Sequence, residues 1–115
     1  MIISDCRTKK ERSFIQIIEY TQGITENDLL IHSHVSSGRN YVTELERKLD
    51  ITFHRVKIPN PDGIGGHFSY QLTCKTDAEK VLRHINKIRL RNGRKELPPD
   101  LTASLLAAYP SVPSH

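Results

Sequence analysis

Eight consecutive residues near the middle of the chain, Pro59-Asn60-Pro61-Asp62-Gly63-Ile64-Gly65-Gly66, can form only a turn or loop. The prolines remove backbone donors and the glycines open left-handed backbone. Whatever fold the chain takes must therefore reverse direction here. Ile51 to Ile58, just before the run, is rich in β-branched and aromatic residues. After it, Phe68, Tyr70, Leu72 and Cys74 alternate with His67, Ser69, Gln71 and Thr73, as a half-buried strand requires. The pattern predicts a β-hairpin with an extended tip, across which His54 and His67 are able to meet.

Everything before Asp50 has helical period. Thr8 followed by Glu11 reads as a capping box, and Phe14, Ile17, Ile18 and Thr21 then recur on one side until Gly23, predicting a helix over Lys9 to Gln22. Thr25 with Asp28 starts a second helix, stapled by Ile24 against Leu29. It runs to about Ser33 with Leu29, Leu30 and Ile31 as its apolar residues. Ser36 or Ser37 then offers a cap to a third helix. Tyr41, Val42, Leu45 and Leu49 share its inner side, with Arg39, Asn40, Thr43, Glu46, Arg47 and Lys48 largely opposite. Two helices joined by so tight a turn form a helix-turn-helix.

Past the hairpin, Thr76 to Glu79 reads as another capping box. It opens a helix with Val81, Leu82, Ile85 and Ile88 inward, ending near Asn92-Gly93. Lys80, His84, Lys87 and Arg91 share its outer side. Four prolines punctuate the remaining tail, which holds room for one short helix over 101–108 capped by Asp100. The expected division is an arm over 1–8, a domain over 9–93 and a tail over 94–115. The fold class expected is α+β: a three-helix core, a two-stranded hairpin and an additional C-terminal helix.

The chain of 115 residues carries 17 Lys and Arg against 13 Asp and Glu, with a pI near 9.2. Distribution matters more than the total. Arg83, Lys87, Arg89, Arg91, Arg94 and Lys95 place six cations in a stretch without an acid. Such a patch suits a polyanion, because neutralising phosphates releases condensed counterions; a solvated helix face has the same composition. No apolar run is long enough to span a membrane, and Met1 to Cys6 lacks the basic-then-apolar order of a secretory signal. Cytoplasmic is the expected compartment, with Cys6 and Cys74 as free thiols.

The order helix, helix, helix, hairpin, helix resembles the winged helix-turn-helix superfamily of DNA-binding proteins. More narrowly, the chain is similar to short helix-turn-helix proteins of bacteriophages and prokaryotic mobile elements. The likeness lies in Ile24-Thr25, in Val42-Thr43-Glu44-Leu45-Glu46-Arg47-Lys48 and in the Asp50-Ile51 step. It spans about Lys9 to Cys74 and departs at Leu49, where a Gly usually separates helix from wing. The resemblance implies that helix three enters a major groove while the wing tip meets backbone or minor groove. The residues agree in type. Arg39 and Asn40 suit readout of guanine and adenine, Ser36 and Ser37 suit a phosphate, and Thr43, Arg47 and Lys48 continue along the same helix. Arg55 and Lys57 flank the wing, while Lys87 and Arg91 belong to the basic stretch. Double-stranded DNA is the expected partner, in a transcription regulator or a DNA-transaction accessory factor. A homodimer is also expected, joined through Met1-Ile2-Ile3 or through a tail stripe of Leu101, Leu105 and Ala108. The alternative is a protein–protein adaptor on the same fold. His32 and His34 sit two apart with no acid or thiol at ligand spacing, so neither metal nor cofactor is expected. The glycines at 63, 65 and 66 lack the strand–loop–helix setting of a phosphate loop, and no nucleophile elbow, HExxH or CxxC occurs, so catalysis is not expected.

Overall fold

The Thr8 hydroxyl accepts the Glu11 N–H at 3.0 Å and starts the first helix, α1 (Lys9–Glu19). The computed structural model describes residues 8–33 and 38–110. Phe14, Ile15, Ile17 and Ile18 of α1 are all buried, so this helix is the axis of the core. It packs against α2 (Glu26–Ser33), α3 (Gly38–Leu49) and α4 (Lys75–Arg91). Helix α1 stops three residues short of the expected Gln22, in a turn where the Gly23 N–H donates to the Tyr20 carbonyl. Gly23 has φ of +113°, and a Cβ there would run into the Ser69 hydroxyl, so only glycine fits.

That close approach is explained by a strand the sequence pattern did not announce. Ile24–Thr25 forms β1 and pairs antiparallel with β3 (Gly66–Gln71), Ile24 opposite Tyr70 and Thr25 opposite Ser69. The hairpin of β2 (His54–Pro59) and β3 thus becomes a three-stranded antiparallel sheet in the order β1-β3-β2, where two strands were expected. Ile24 and Leu29 are both fully buried, and Thr25 and Asp28 cap each other reciprocally at 2.9 and 3.1 Å. Among the described side chains of α2, Leu29 alone is buried. Leu30 and Ile31, the other apolar residues read in this helix, are exposed.

Both hairpin strands are shorter than the alternation suggests and are shifted towards the tip, where Pro59 pairs with Gly66 although the pattern assigned both to the loop. Ile51 and Phe53 are buried but precede the ladder, and the Phe53 N–H donates to the Glu46 carboxylate instead of to a strand. Tyr70 lies inside the ladder, Leu72 and Cys74 lie beyond it, and all three are buried. Phe68 is not; it is nearly half exposed, because the ladder runs out past the end of the core. Between α3 and the hairpin the left-handed residue is Asp50 (φ +56°), an amino acid that tolerates that region.

Helix α4 begins two residues early. Cys74 precedes it without a side-chain cap, Thr76 lies inside the first turn, and the Lys75 N–H donates to the Pro110 carbonyl at 2.7 Å. The expected capping box at Thr76 and Glu79 is therefore not the start signal. Residues 94–110 pack onto the same core. Helix α5 (Pro99–Ala107) opens on Pro at its first position with Asp100 one step further in, not at the cap. Leu97 and Tyr109 are buried in the core, and Tyr109 donates its hydroxyl proton to the Ile18 carbonyl at 2.5 Å. Leu101 and Leu105, the expected dimer stripe, pack partly against this same core.

One buried charge ties the two ends of the domain together. Glu11 is fully inaccessible, and its Oε2 lies 3.3 Å from Arg89 Nη1 and 3.3 Å from Arg94 Nη1. Arg89 Nε also donates to the Lys95 carbonyl at 2.7 Å. Two of the six cations in the basic stretch are thus turned inward. Glu11→Ala leaves Arg89 buried without its carboxylate and should lower unfolding free energy by about 3–5 kcal/mol in urea titrations. Ending the chain after Glu96 removes Leu97 and Tyr109 from the core. It should lower the urea midpoint and broaden the transition, whereas an unchanged midpoint would show the tail to be dispensable.

Candidate nucleic-acid interface

Helix α3 advances by 3.6 residues per turn, so Val42, Leu45 and Leu49 fall on one side. Val42 and Leu45 are fully buried there, and Leu49 packs against the same core. Tyr41 sets its ring edge against Phe14, centroids 5.7 Å apart. Arg39, Thr43, Arg47 and Asn40 then fall within an arc of about 100° on the far side, and all four are exposed. The Thr43 hydroxyl donates back to the Arg39 carbonyl at 3.0 Å, which leaves its methyl outward.

Two acids flank that arc, and both are bent back onto the domain. Glu46 receives both terminal nitrogens of Arg55, at 2.8 and 2.6 Å, together with the Phe53 N–H. The Arg55 guanidinium holds the Glu46 carboxyl below its ordinary value, and the backbone donor helps against the opposing effect of burial. Arg55 itself lies 5.3 Å from the centre of the Tyr70 ring, and its pKa is raised by the same carboxylate. On the other flank, Glu44 Oε2 lies 3.2 Å from Lys10, 3.7 Å from Lys48 and 3.8 Å from His84. Burial pushes the His84 pKa down, and nearby Glu44 only partly offsets this, so the imidazole is neutral near pH 7. Glu44 and Glu46 thus both pair with Lys or Arg of the domain itself.

The expected contact residues thus divide. Arg39, Asn40, Thr43 and Arg47 lie together on the open face, and Lys48 is exposed at its edge, beside Glu44. Lys57 is exposed on β2, opposite Phe68. Arg55 is engaged by Glu46 and braces the junction of helix and hairpin. Lys87 and Arg91 are exposed on α4. They follow His84 by one and two turns, so their side of α4 borders α3 where His84 meets Glu44. Ser36 and Ser37 lie outside the described residues, as do His34, Cys6 and Met1 to Ile3.

In comparison with known proteins, the chain matches no family model, no curated protein and no solved structure.

His54 and His67 do not meet. The register sets His54 opposite Gln71 and His67 opposite Ile58, at different ends of the ladder. Among the described residues no group of three or more His, Cys, Asp or Glu is placed to hold a metal ion. None of the described helices is long and apolar enough to cross a membrane. One organising residue escaped the sequence reading. Asn60, inside the loop run, bonds to Gly65, Gly63, Ile64 and His67, a role that its Asn-Pro-Asp setting hints at through side-chain-closed turns.

The Glu46–Arg55 pair gives a signed pH prediction. A carboxyl whose folded pKa is depressed stabilises the fold above its ordinary value of 4.5. That contribution fades as pH falls through the lower folded value. Glu46→Gln should therefore be less stable than wild type at neutral pH, with the gap in urea midpoint closing as pH falls below 4.5. A gap independent of pH would show that the pair carries no such linkage.

Proposed function

We propose that the protein binds duplex DNA, with α3 lying in the major groove and the β2–β3 hairpin acting as a wing against the neighbouring backbone. The α+β architecture, five helices with a three-stranded antiparallel sheet, is compatible with the winged helix-turn-helix resemblance and supports the reading. One observation carries the reading. The two acids of α3 are both drawn back by partners within the domain, which leaves an outward face of Arg39, Asn40, Thr43 and Arg47 with no carboxylate on it. An adaptor that met a protein through α3 would present acids or apolar side chains there. A face of guanidinium and amide groups with the Thr43 methyl among them offers the donors, acceptor and apolar contact that complement base edges in a major groove. Lys48, Lys57, Lys87 and Arg91 supply cations around it for phosphates, which position a protein without reading sequence.

Gel retardation on random duplex at low and then physiological salt tests the reading. Retardation should weaken steeply as salt rises. None even at low salt would overturn the DNA reading in favour of the adaptor. At a selected site, Arg39→Ala or Asn40→Ala should cost about 1–3 kcal/mol and relax base preference. Lys87→Ala or Arg91→Ala should weaken all sequences alike and reduce the salt slope by about one each.

A further inference from the structure

Ile64, at the tip of the hairpin, is 75% exposed, more than any other large apolar side chain among the described residues. Leaving an isoleucine in water forgoes the stabilisation that its burial would give. Exposed apolar residues on loops are common, but this one is held in place. Its N–H donates to Asp62 Oδ1 at 2.9 Å, and its carbonyl accepts from Asn60 Nδ2 at 2.9 Å. Asn60 also donates its N–H to the Gly65 carbonyl at 3.3 Å and accepts the Gly63 N–H at 3.0 Å. Its Oδ1 lies 3.0 Å from His67 Nδ1; an amide oxygen only accepts, so that ring nitrogen carries the proton. Gly63 and Gly65, both left-handed at φ +76° and +67°, make the sharp turns on either side of Ile64. The loop thus presents one β-branched side chain on a backbone whose donor and acceptor are both already satisfied.

The tip is also unsuited to phosphate. No Lys or Arg occurs between Lys57 and Lys75, and the one formal charge among residues 58–66 is Asp62, an acid. The cation nearest in sequence is Lys57, which stands on the ladder opposite Phe68, itself nearly half exposed. A preorganised apolar tip with a cation and an aromatic behind it fits a different contact. Proteins that bend DNA from the minor groove insert apolar side chains, isoleucine among them, between base steps and partly unstack them.

We propose that Ile64 is an apolar wedge that enters the minor groove of bound duplex DNA, partly unstacks one base step and bends the duplex. The proposal rests on the DNA-binding reading above and adds to it. Lys57 then neutralises phosphate beside the opened step, and Phe68 lies against the adjoining sugars. Flexible pyrimidine–purine steps such as TA open most easily, so the wing selects such a step beside the site read by α3.

The test uses the full chain on an end-labelled duplex carrying its selected site, with 2-aminopurine at the candidate step. Energy transfer between the ends reports bending, 2-aminopurine fluorescence reports unstacking, and gel retardation reports binding. Wild type should bend the duplex by about 20–90° and raise the fluorescence. Ile64→Ala should still retard the duplex within a few-fold of wild-type affinity but leave it straight and stacked, while Ile64→Leu should keep both signals. Retardation of a duplex that stays straight with wild type, or that bends equally with Ile64→Ala, would overturn the wedge and leave the DNA reading standing. Absence of retardation for any duplex would overturn both.

Discussion

The Glu11 carboxylate, fully buried and shared between Arg89 and Arg94, is the contact on which the chain's closure depends. An ionised carboxyl in the interior is expensive unless paired and hydrogen-bonded. Its partners come from the last turn of α4 and the residue that follows Gly93, so satisfying the first turn of α1 fixes where α4 must end. From that point the Arg89 side chain holds the Lys95 carbonyl and Asn86 holds the Leu97 N–H. The chain is thereby aimed so that α5 and Tyr109 return to α1 at Ile18. A hydrophobic core alone would bury α1 without specifying this path, because dispersion and burial are indifferent to direction. The ion cluster supplies direction.

The same economy shapes α3. A helix bearing glutamates among its arginines would be poorly suited to a polyanion if those acids faced outward. Here each is matched from a different element: Lys10 of α1 pairs with Glu44, with the neutral His84 of α4 beside it, and Arg55 of β2 pairs with Glu46. These contacts do two things at once. They fix the helix against α1, α4 and the hairpin, and they remove negative charge from the face between them. The cost is that Arg55 stops being a free cation. It becomes the brace that orients the hairpin relative to α3, seated on the Tyr70 ring.

What was legible in the sequence was local. The Thr25–Asp28 box, the apolar sides of α1 and α3 and the turn around Asp62-Gly63 all rest on neighbours within a few residues, and all stand where the pattern puts them. What was hidden depends on partners far along the chain. Strand β1 is two residues long, and no periodicity can be read from two residues; it exists because β3 offers an edge to it. Glu11 looks like half of a capping box, and its actual partner Arg89 is 78 positions away. Charge counting suffered most from this, since a cation run says nothing about which members turn inward. On the site itself, residue type and helical spacing placed Arg39, Asn40, Thr43 and Arg47 on one open face correctly. The involvement of Arg55 with Glu46 needed the hairpin's position, which spacing does not give.

The hairpin itself shows how one element is divided between two tasks. At its base the alternation holds, Tyr70 and Leu72 are buried, and the pairing with β1 ties it to the entry of α2. Two residues further out the same alternation still points Phe68 to that side, yet there is no core left to receive it. A strand that outruns its core normally ends in polar or charged residues, which keep an exposed edge from aggregating. Here β2 keeps Arg55, Lys57 and Pro59 along its edge, which serves that purpose, while the tip beyond carries an isoleucine on a closed hydrogen-bonded loop. Apolar exposure on the hairpin is shared by Val56 and Phe68 on the strands and is greatest at Ile64. What sets Ile64 apart is the loop around it, whose hydrogen bonds hold that side chain out.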